Sequence, residues 1–346
     1  MRRLTLLCAL FVAVSAFSQD SQYQESIDVV RILFDVRVTE YGGDPILGLD
    51  AKDFNVTIGG KRANVESVRW IDETTGIVIS AEGVQTPGEN TEDIVVEEKR
   101  GRLIVIFIQT DFAREKPRMA GQLGFLPHAQ KMVESFADED RVAVFSFDSH
   151  LKFRLDFTSD KEAAKEAIAA ALRTDIPPPP PIVPNPALAS RLDRDAMRDA
   201  ANSETALVLI GNALRQIEGP KTLLLLGWGL GERRGDRVSM RPQWAAARHA
   251  LDAARTSIFA LDTTVADYHD LEMGLIKAAQ DTGGFYAKTH LFPELAVERL
   301  QRTLSGHYEL ELRRPDGLLP GTHAVTVSVK KRSALIMAPS SYMDRR

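Results

Sequence analysis

The sequence predicts an α/β protein: a doubly wound, mainly parallel sheet covered by helices on both faces, with a small β domain built from the N- and C-terminal segments. Three observations lead there. Between Leu103 and Leu304, short unbroken apolar runs (LIVIFI, VAVFSF, TLLLL) alternate with segments whose apolar residues recur every three or four positions. Unbroken runs of that length mark strands buried on both faces, and strand–helix alternation builds a parallel sheet. Outside that stretch, before Trp70 and after Gly306, the period becomes two, the pattern of a sheet with one face in water.

The elements follow in order. Met1-Arg2-Arg3, the apolar run Leu4–Ala16 and the small residues at Ala16-Phe17-Ser18 make an export signal, too short to span a bilayer. Cleavage after Ser18 leaves 328 residues, in which 41 basic side chains face 48 acidic ones for a net charge of −7. Ile27–Thr39 is a strand, Tyr41–Pro45 a turn, and Pro45–Ile58 a loop, a helical turn and an alternating strand. Gly59-Gly60 then turns the chain into a strand over Ala63–Trp70. Residues 72–100, polar and acidic, read as a connector with weak structure, so 19–100 form an N-terminal β unit and connector.

Residues 101–305 hold the α/β domain. Its strands are Leu103–Ile108, Val142–Phe147, the locally paired edge strand Leu151–Phe157, Thr222–Leu226, Ile258–Leu261 and Phe285–Ala287. Its helices are Pro127–Ala137, Asp160–Arg173, Leu188–Ile217 in two pieces, Gln243–Arg255, Asp270–Thr282 and Glu294–Leu304. Pro177–Pro181, with Pro184 and Pro186, is a stiff polyproline spacer. Residues 306–346 close the chain, with Gly306–Arg313 and His323–Lys330 alternating as a hairpin that packs against the N-terminal β unit.

Composition removes several functions. A net-acidic exported chain lacks the basic surface that phosphate contacts require, so nucleic acid is not its partner. No later apolar run reaches the length of a membrane span. The single cysteine, Cys8, lies inside the signal. The mature chain therefore has no disulfide, thiolate metal site or cysteine nucleophile.

The order of the pieces resembles a von Willebrand factor type A domain, and more narrowly the related domain of acidobacterial exported proteins. The likeness runs through VRVTEYGGDPILGLDAKDFNVTIGGKRANVESV, RLIVIFIQTDFAR, SETALVLIGNAL, ARTSIFALDT, LIKAAQDTGGFYAK and LSGHYELELRRPDG. It implies a Mg²⁺ site at the carboxyl ends of the strands, built from an Asp-x-Ser-x-Ser loop, a threonine and a second aspartate. Here Gln109 replaces the first aspartate, Asp111 the first serine and Ala113 the second; Thr205 matches the threonine, and Trp228 stands where the second aspartate belongs. Only Asp111 and Thr205 remain as ligands, with one charge between them. The resemblance thus implies a degenerate site that holds Mg²⁺ weakly or not at all. It also implies a non-enzymatic module that binds another protein through Gln109, Asp111, Phe112, Thr205 and Trp228. The binding crest comprises residues 109–115, 203–206, 227–237 and 262–268.

The alternatives are a divalent-metal-dependent adhesion protein using Asp111 and Thr205, and a hydrolase. Asp148 and His150 suggest acid–base work, but no Gly-x-Ser-x-Gly elbow or cysteine accompanies them, and they read as a hairpin turn. Asp262, Asp267, His269 and Asp270 crowd one loop with cation-ligand chemistry, Asp270 reading equally as a helix cap. Arg234-Gly235-Asp236 is a charged loop, and Gly283-Gly284 a helix stop.

Overall fold

The computed structural model describes residues 31–75, 78–80, 101–110, 115–172, 187–331 and 333–345. The expected export signal, the proline run, and Asp111, Phe112 and Ala113 lie outside the described residues.

The chain opens with β1 (Arg31–Thr39), a 3-10 turn at Ala51–Asp53, β2 (Phe54–Ile58), β3 (Lys61–Asp72) and β4 (Val78–Ser80). The α/β region continues with β5 (Leu103–Gln109), α1 (Lys116–Glu134), β6 (Arg141–Phe147), β7 (Leu151–Thr158), α2 (Lys161–Ala171), α3 (Arg194–Asp199) and α4 (Ser203–Leu214). After it come β8 (Lys221–Gly227), the ribbon β9 (Glu232–Arg234) and β10 (Arg237–Ser239), α5 (Gln243–Ala253), β11 (Thr256–Asp262), α6 (Glu272–Asp281), β12 (Tyr286–Lys288) and α7 (Pro293–Thr303). The tail holds β13 (Gly306–Arg313), β14 (Gly321–Val329), β15 (Leu335–Met337) and β16 (Ser341–Asp344).

Six strands form the α/β sheet in the order β12-β11-β8-β5-β6-β7, parallel except for the edge pair β6–β7. Successive side chains along each strand point to opposite faces of such a sheet. Val105, Phe107, Leu223 and Leu225 accordingly pack with α4 and α5, while Ile104, Ile106, Leu224 and Leu226 pack with α1, α2 and α7. Numbered from β5 as the first strand, this is the 3-2-1-4-5-6 doubly wound order, which reverses between β5 and β8. In open α/β sheets the crevice at such a reversal, beyond the carboxyl ends of the strands, is where ligands commonly bind. Gln109 ends β5 there, and Trp228 follows β8.

The second sheet joins both ends of the chain in the order β15-β1-β13-β3-β2-β14-β16, with β4 on β3. This corrects the expected C-terminal hairpin. β13 pairs with β1 and β3, whereas β14 pairs with β2 and β16. The reason is burial. Tyr308, Leu310 and Leu312 are almost fully enclosed among Phe34, Val36 and Trp70, and a central slot gives them that cover. Tyr308 also donates its hydroxyl to the Ile46 carbonyl at 2.8 Å. The connector is partly structured as well, since β3 runs to Asp72 and β4 pairs with it.

The helix expected from Pro127 begins at Lys116 and carries Pro127 in its interior. Interior proline costs about 3 kcal/mol. Phe125, Ala129, Met132 and Val133 lie against the sheet on both sides of it and hold the helix together.

Arg255, at the α5–β11 junction, fastens the two sheets. Its Nε lies 2.9 Å from Asp35 Oδ2 and its Nη2 2.6 Å from Glu309 Oε2. Beside this pair, the buried His307 has Nδ1 2.6 Å from Glu73 Oε1, and Arg37 Nη2 donates to the same Glu73 oxygen at 2.9 Å.

Candidate functional site

At the reversal point the side chain of Gln109 is the hub. It is buried, and its Nε2 donates to Ser203 Oγ and to the Gly229 carbonyl, both at 2.8 Å. Its Oε1 accepts the backbone N–H groups of Trp228 at 3.1 Å and Gly229 at 3.2 Å. One neutral amide therefore ties β5 to the start of α4 and to the loop after β8, and all its hydrogen-bonding capacity is committed. Gly227 permits this approach, since a Cβ there would lie 2.1 Å from Gln109 Oε1. The Gln109 carbonyl in turn accepts from Gln122 Nε2 on α1.

Thr205 is half-buried. Its N–H and its Oγ1 both donate to Asn202 Oδ1, at 2.8 and 3.0 Å, so it completes the N-cap of α4. Trp228 is also half-buried. The Arg118 guanidinium lies 3.8 Å from the centre of its ring, a cation–π contact, and the indole Nε1 is buried without a hydrogen-bond partner. Thus Gln109, Thr205 and Trp228 meet at one end of the sheet.

Within the 203–206 stretch, sequence reasoning did not single out Glu204. Its carboxylate is buried and accepts the Gly231 N–H at 2.7 Å, a second tie between α4 and the loop after β8. An acid in the first turn of a helix reads as an exposed complement to the helix dipole, so only the fold reveals its burial.

The Asp262 loop resolves differently from the expected quartet. Asp262, buried, accepts from Thr264 N–H at 2.9 Å and Tyr286 hydroxyl at 2.8 Å, and pairs with His269 Nε2 at 2.7 Å. Burial works to raise its carboxyl pKa, but His269, the Thr264 N–H and Tyr286 outweigh it and hold the group low. Asp267 and Asp270 point elsewhere: Asp267 lies 3.5 Å from His290 Nε2, and Asp270 pairs with Arg233 at 3.2 Å rather than capping α6. Glu272 takes their place, and ligand-type atoms of Asp262, His269 and Glu272 all lie within 4.8 Å of one another. Lys288 Nζ, 2.7 Å from Glu272 Oε2, already supplies positive charge there.

Asp148 and His150 occupy the turn between β6 and β7, where Asp148 Oδ2 accepts from Lys152 Nζ at 2.6 Å. Arg234-Gly235-Asp236 forms the exposed tip of β9–β10. Gly283, with φ of 78°, ends α6 as a left-handed stop.

No family model matches the sequence. No curated protein matches it. Solved structures similar to it include "von Willebrand factor type A from Catenulispora acidiphila", with 10% identity, a TM-score of 0.41, and coverage of 90% of this chain and 72% of the other. The three N-terminal domains of the type V pili tip protein Mfa5 from Porphyromonas gingivalis align over 92% of this chain and 66% of theirs, at 10% identity and a TM-score of 0.40. The manganese-loaded TRAP protein of Plasmodium vivax aligns over 68% and 92%, again at 10% identity and 0.40. Among the described residues, no helix is long and apolar enough to cross a membrane.

Proposed function

We propose that the chain is an exported, non-enzymatic protein-interaction module of the von Willebrand factor type A kind, which binds another protein through the crest around Gln109, Asp111, Phe112, Thr205 and Trp228. The mature protein starts after Ser18, and residues 101–305 form the binding domain. The Gln109 side chain carries this reading. In the position of the first metal-ligating aspartate stands a neutral amide whose oxygen already accepts two backbone N–H groups. A hard cation needs unengaged, preferably anionic oxygens in octahedral array. Thr205, whose hydroxyl donates to Asn202 and keeps its lone pairs, offers one neutral oxygen, and Trp228 offers no oxygen ligand from its side chain. These residues do not fit Mg²⁺, and the site is degenerate.

Millimolar Mg²⁺ or Mn²⁺ is expected to leave the melting temperature unchanged. A ligand at a hundred times its dissociation constant adds about 2.7 kcal/mol, which for a domain of this size is a rise of several degrees. Such a rise, abolished by Asp111→Ala, would favour instead a divalent-metal-dependent adhesion protein.

Trp228→Ala separates binding from folding. Loss of an interface tryptophan costs over about 2 kcal/mol of affinity, while truncating a fully buried ring costs about 3–5 kcal/mol of stability. Half-buried under Arg118, Trp228 is expected to lose partner capture from the envelope fraction with only a modest drop in melting temperature. Intact capture with a core-sized drop would make the ring a packing residue.

A further inference from the structure

A cleft of about 300 Å³ opens at the end of the α/β sheet opposite the crest, beside Thr256 and Ser257 at the start of β11. Its walls are β1 on one side and Pro339–Arg345 on the other, with α5 as the floor. Among the described residues the second sheet is open here, because β15 covers only Arg37–Thr39 of β1. Val38 turns its carbonyl away from β15, to the Ile46 N–H at 2.9 Å. Backbone groups along a strand alternate in direction, so those of Leu33 and Asp35 face the uncovered edge. Leu33 is also 48% exposed, a large apolar side chain at the lip of the cleft.

Two further features point to a ligand. Asp252 borders the cleft with a buried Oδ1 that has no hydrogen-bond partner, while its Oδ2 accepts from Ser341 Oγ at 2.6 Å. Native structures rarely leave such an atom unpaired. Arg215 and Arg345, also lining the cleft, have no carboxylate partner among the described residues. Burial first, then the charges of Arg345, Arg215 and Arg248, push His249 below its usual range. Arg255, by contrast, is neutralised by Asp35 and Glu309.

We propose that this cleft binds an extended, acidic segment of a partner protein, added as a strand along β1 at Leu33–Asp35, with its carboxylates against Arg215 and Arg345. Main-chain bonds to an open edge provide affinity in this mode, and side chains at alternate positions provide specificity. Asp252 would accept a peptide N–H. The surface is separate from the crest, so one chain can bridge two partners.

The test uses the mature chain and a synthetic peptide of alternating valine and threonine with aspartates at both ends, against a version with lysines there. In the free protein the amides of Leu33 and Asp35 should exchange faster than those of Ile32, Phe34 and Val36. The acidic peptide should slow them, and the lysine peptide should not. Leu33→Pro removes one outward N–H while sparing the pairing with β13, and should weaken binding about tenfold, the value of one good hydrogen bond. Arg215→Glu, at an exposed position, should weaken it similarly with unchanged melting. The proposal falls if Leu33 and Asp35 are already protected in the free chain, which would mean that the chain covers its own edge. It falls equally if both variants bind normally, or if inorganic phosphate alone displaces the peptide fully.

Discussion

Replacing Arg255 by leucine is expected to destabilise the protein by about 3–5 kcal/mol, the cost of leaving a buried ion pair with one partner missing. Its guanidinium bridges Asp35 on β1 and Glu309 on β13, both largely buried, and so joins the two sheets through charge. Glu309 keeps Arg69 after the substitution, but Asp35 keeps only His307. Burial alone would raise the Asp35 carboxyl, and His307 and Arg255 together hold it far below the ordinary carboxylate range. The double replacement Arg255→Leu with Asp35→Leu should recover much of the loss, since an apolar pair carries no desolvation penalty. Urea unfolding of the single and double variants measures both terms. A single-variant loss under about 1 kcal/mol, the scale of surface pairs, would show that the junction is solvated.

His307 makes the same junction sensitive to alkali. Burial pulls its imidazole pKa down, but the hydrogen bonds and charges of Asp35 and Glu73 outweigh burial and lift it to about 9. The folded value lies above the unfolded value of about 6.5. The proton it holds therefore favours the fold fully below pH 6.5, and that contribution fades as pH rises to 9. Its size is about 3 kcal/mol at 1.36 kcal/mol per unit. Stability should fall across that window in the native protein and stay flatter in His307→Gln. Parallel curves for the two would remove His307 from the junction's charge balance.

The parts of the fold that were legible are those set by local pattern. LIVIFI, VAVFSF and TLLLL have no polar face and can only be central strands, and their alternation with helices leaves few topologies. The partners of β13 were not legible. GHYELELR alternates like any hairpin strand, and only the fit of Tyr308 and Leu310 between β1 and β3 decides its neighbours. The ionic junction is invisible for the same reason, since Arg255 and Asp35 are 220 positions apart. At the crest, the substitutions at Gln109 and Trp228 could be read directly from the sequence. How Gln109 is used depends on Ser203 and Gly229, whose proximity only the folded sheet creates.

Gln109→Leu is therefore the substitution that best separates a vestigial position from a structural one. Leucine fills a similar volume but strands the Trp228 and Gly229 N–H groups, the Gly229 carbonyl and the Ser203 hydroxyl. A buried group left unsatisfied costs about 1–3 kcal/mol. Because Trp228 is only half-buried, water recovers part of the loss, and the expected total is about 3–6 kcal/mol. Hydrogen exchange should localise the damage, with faster exchange at Trp228 and Gly229 than at the central positions of β8. Gln109→Glu is the sharper comparison. It retains the acceptor for the two N–H groups, and Ser203 Oγ can turn its hydrogen to donate, but the second oxygen faces the Gly229 carbonyl, so the fold favours its protonated form. Its carboxyl pKa should rise above the usual value of about 4.3, and the variant should lose stability relative to the native chain as pH climbs through that range. A carboxylate at this position also restores one charge to the expected metal loop. With Trp228 and Ala113 unchanged, Mg²⁺ should still add nothing to its stability. A Mg²⁺-dependent rise in Gln109→Glu alone would trace the proposed degeneracy of the site to the glutamine.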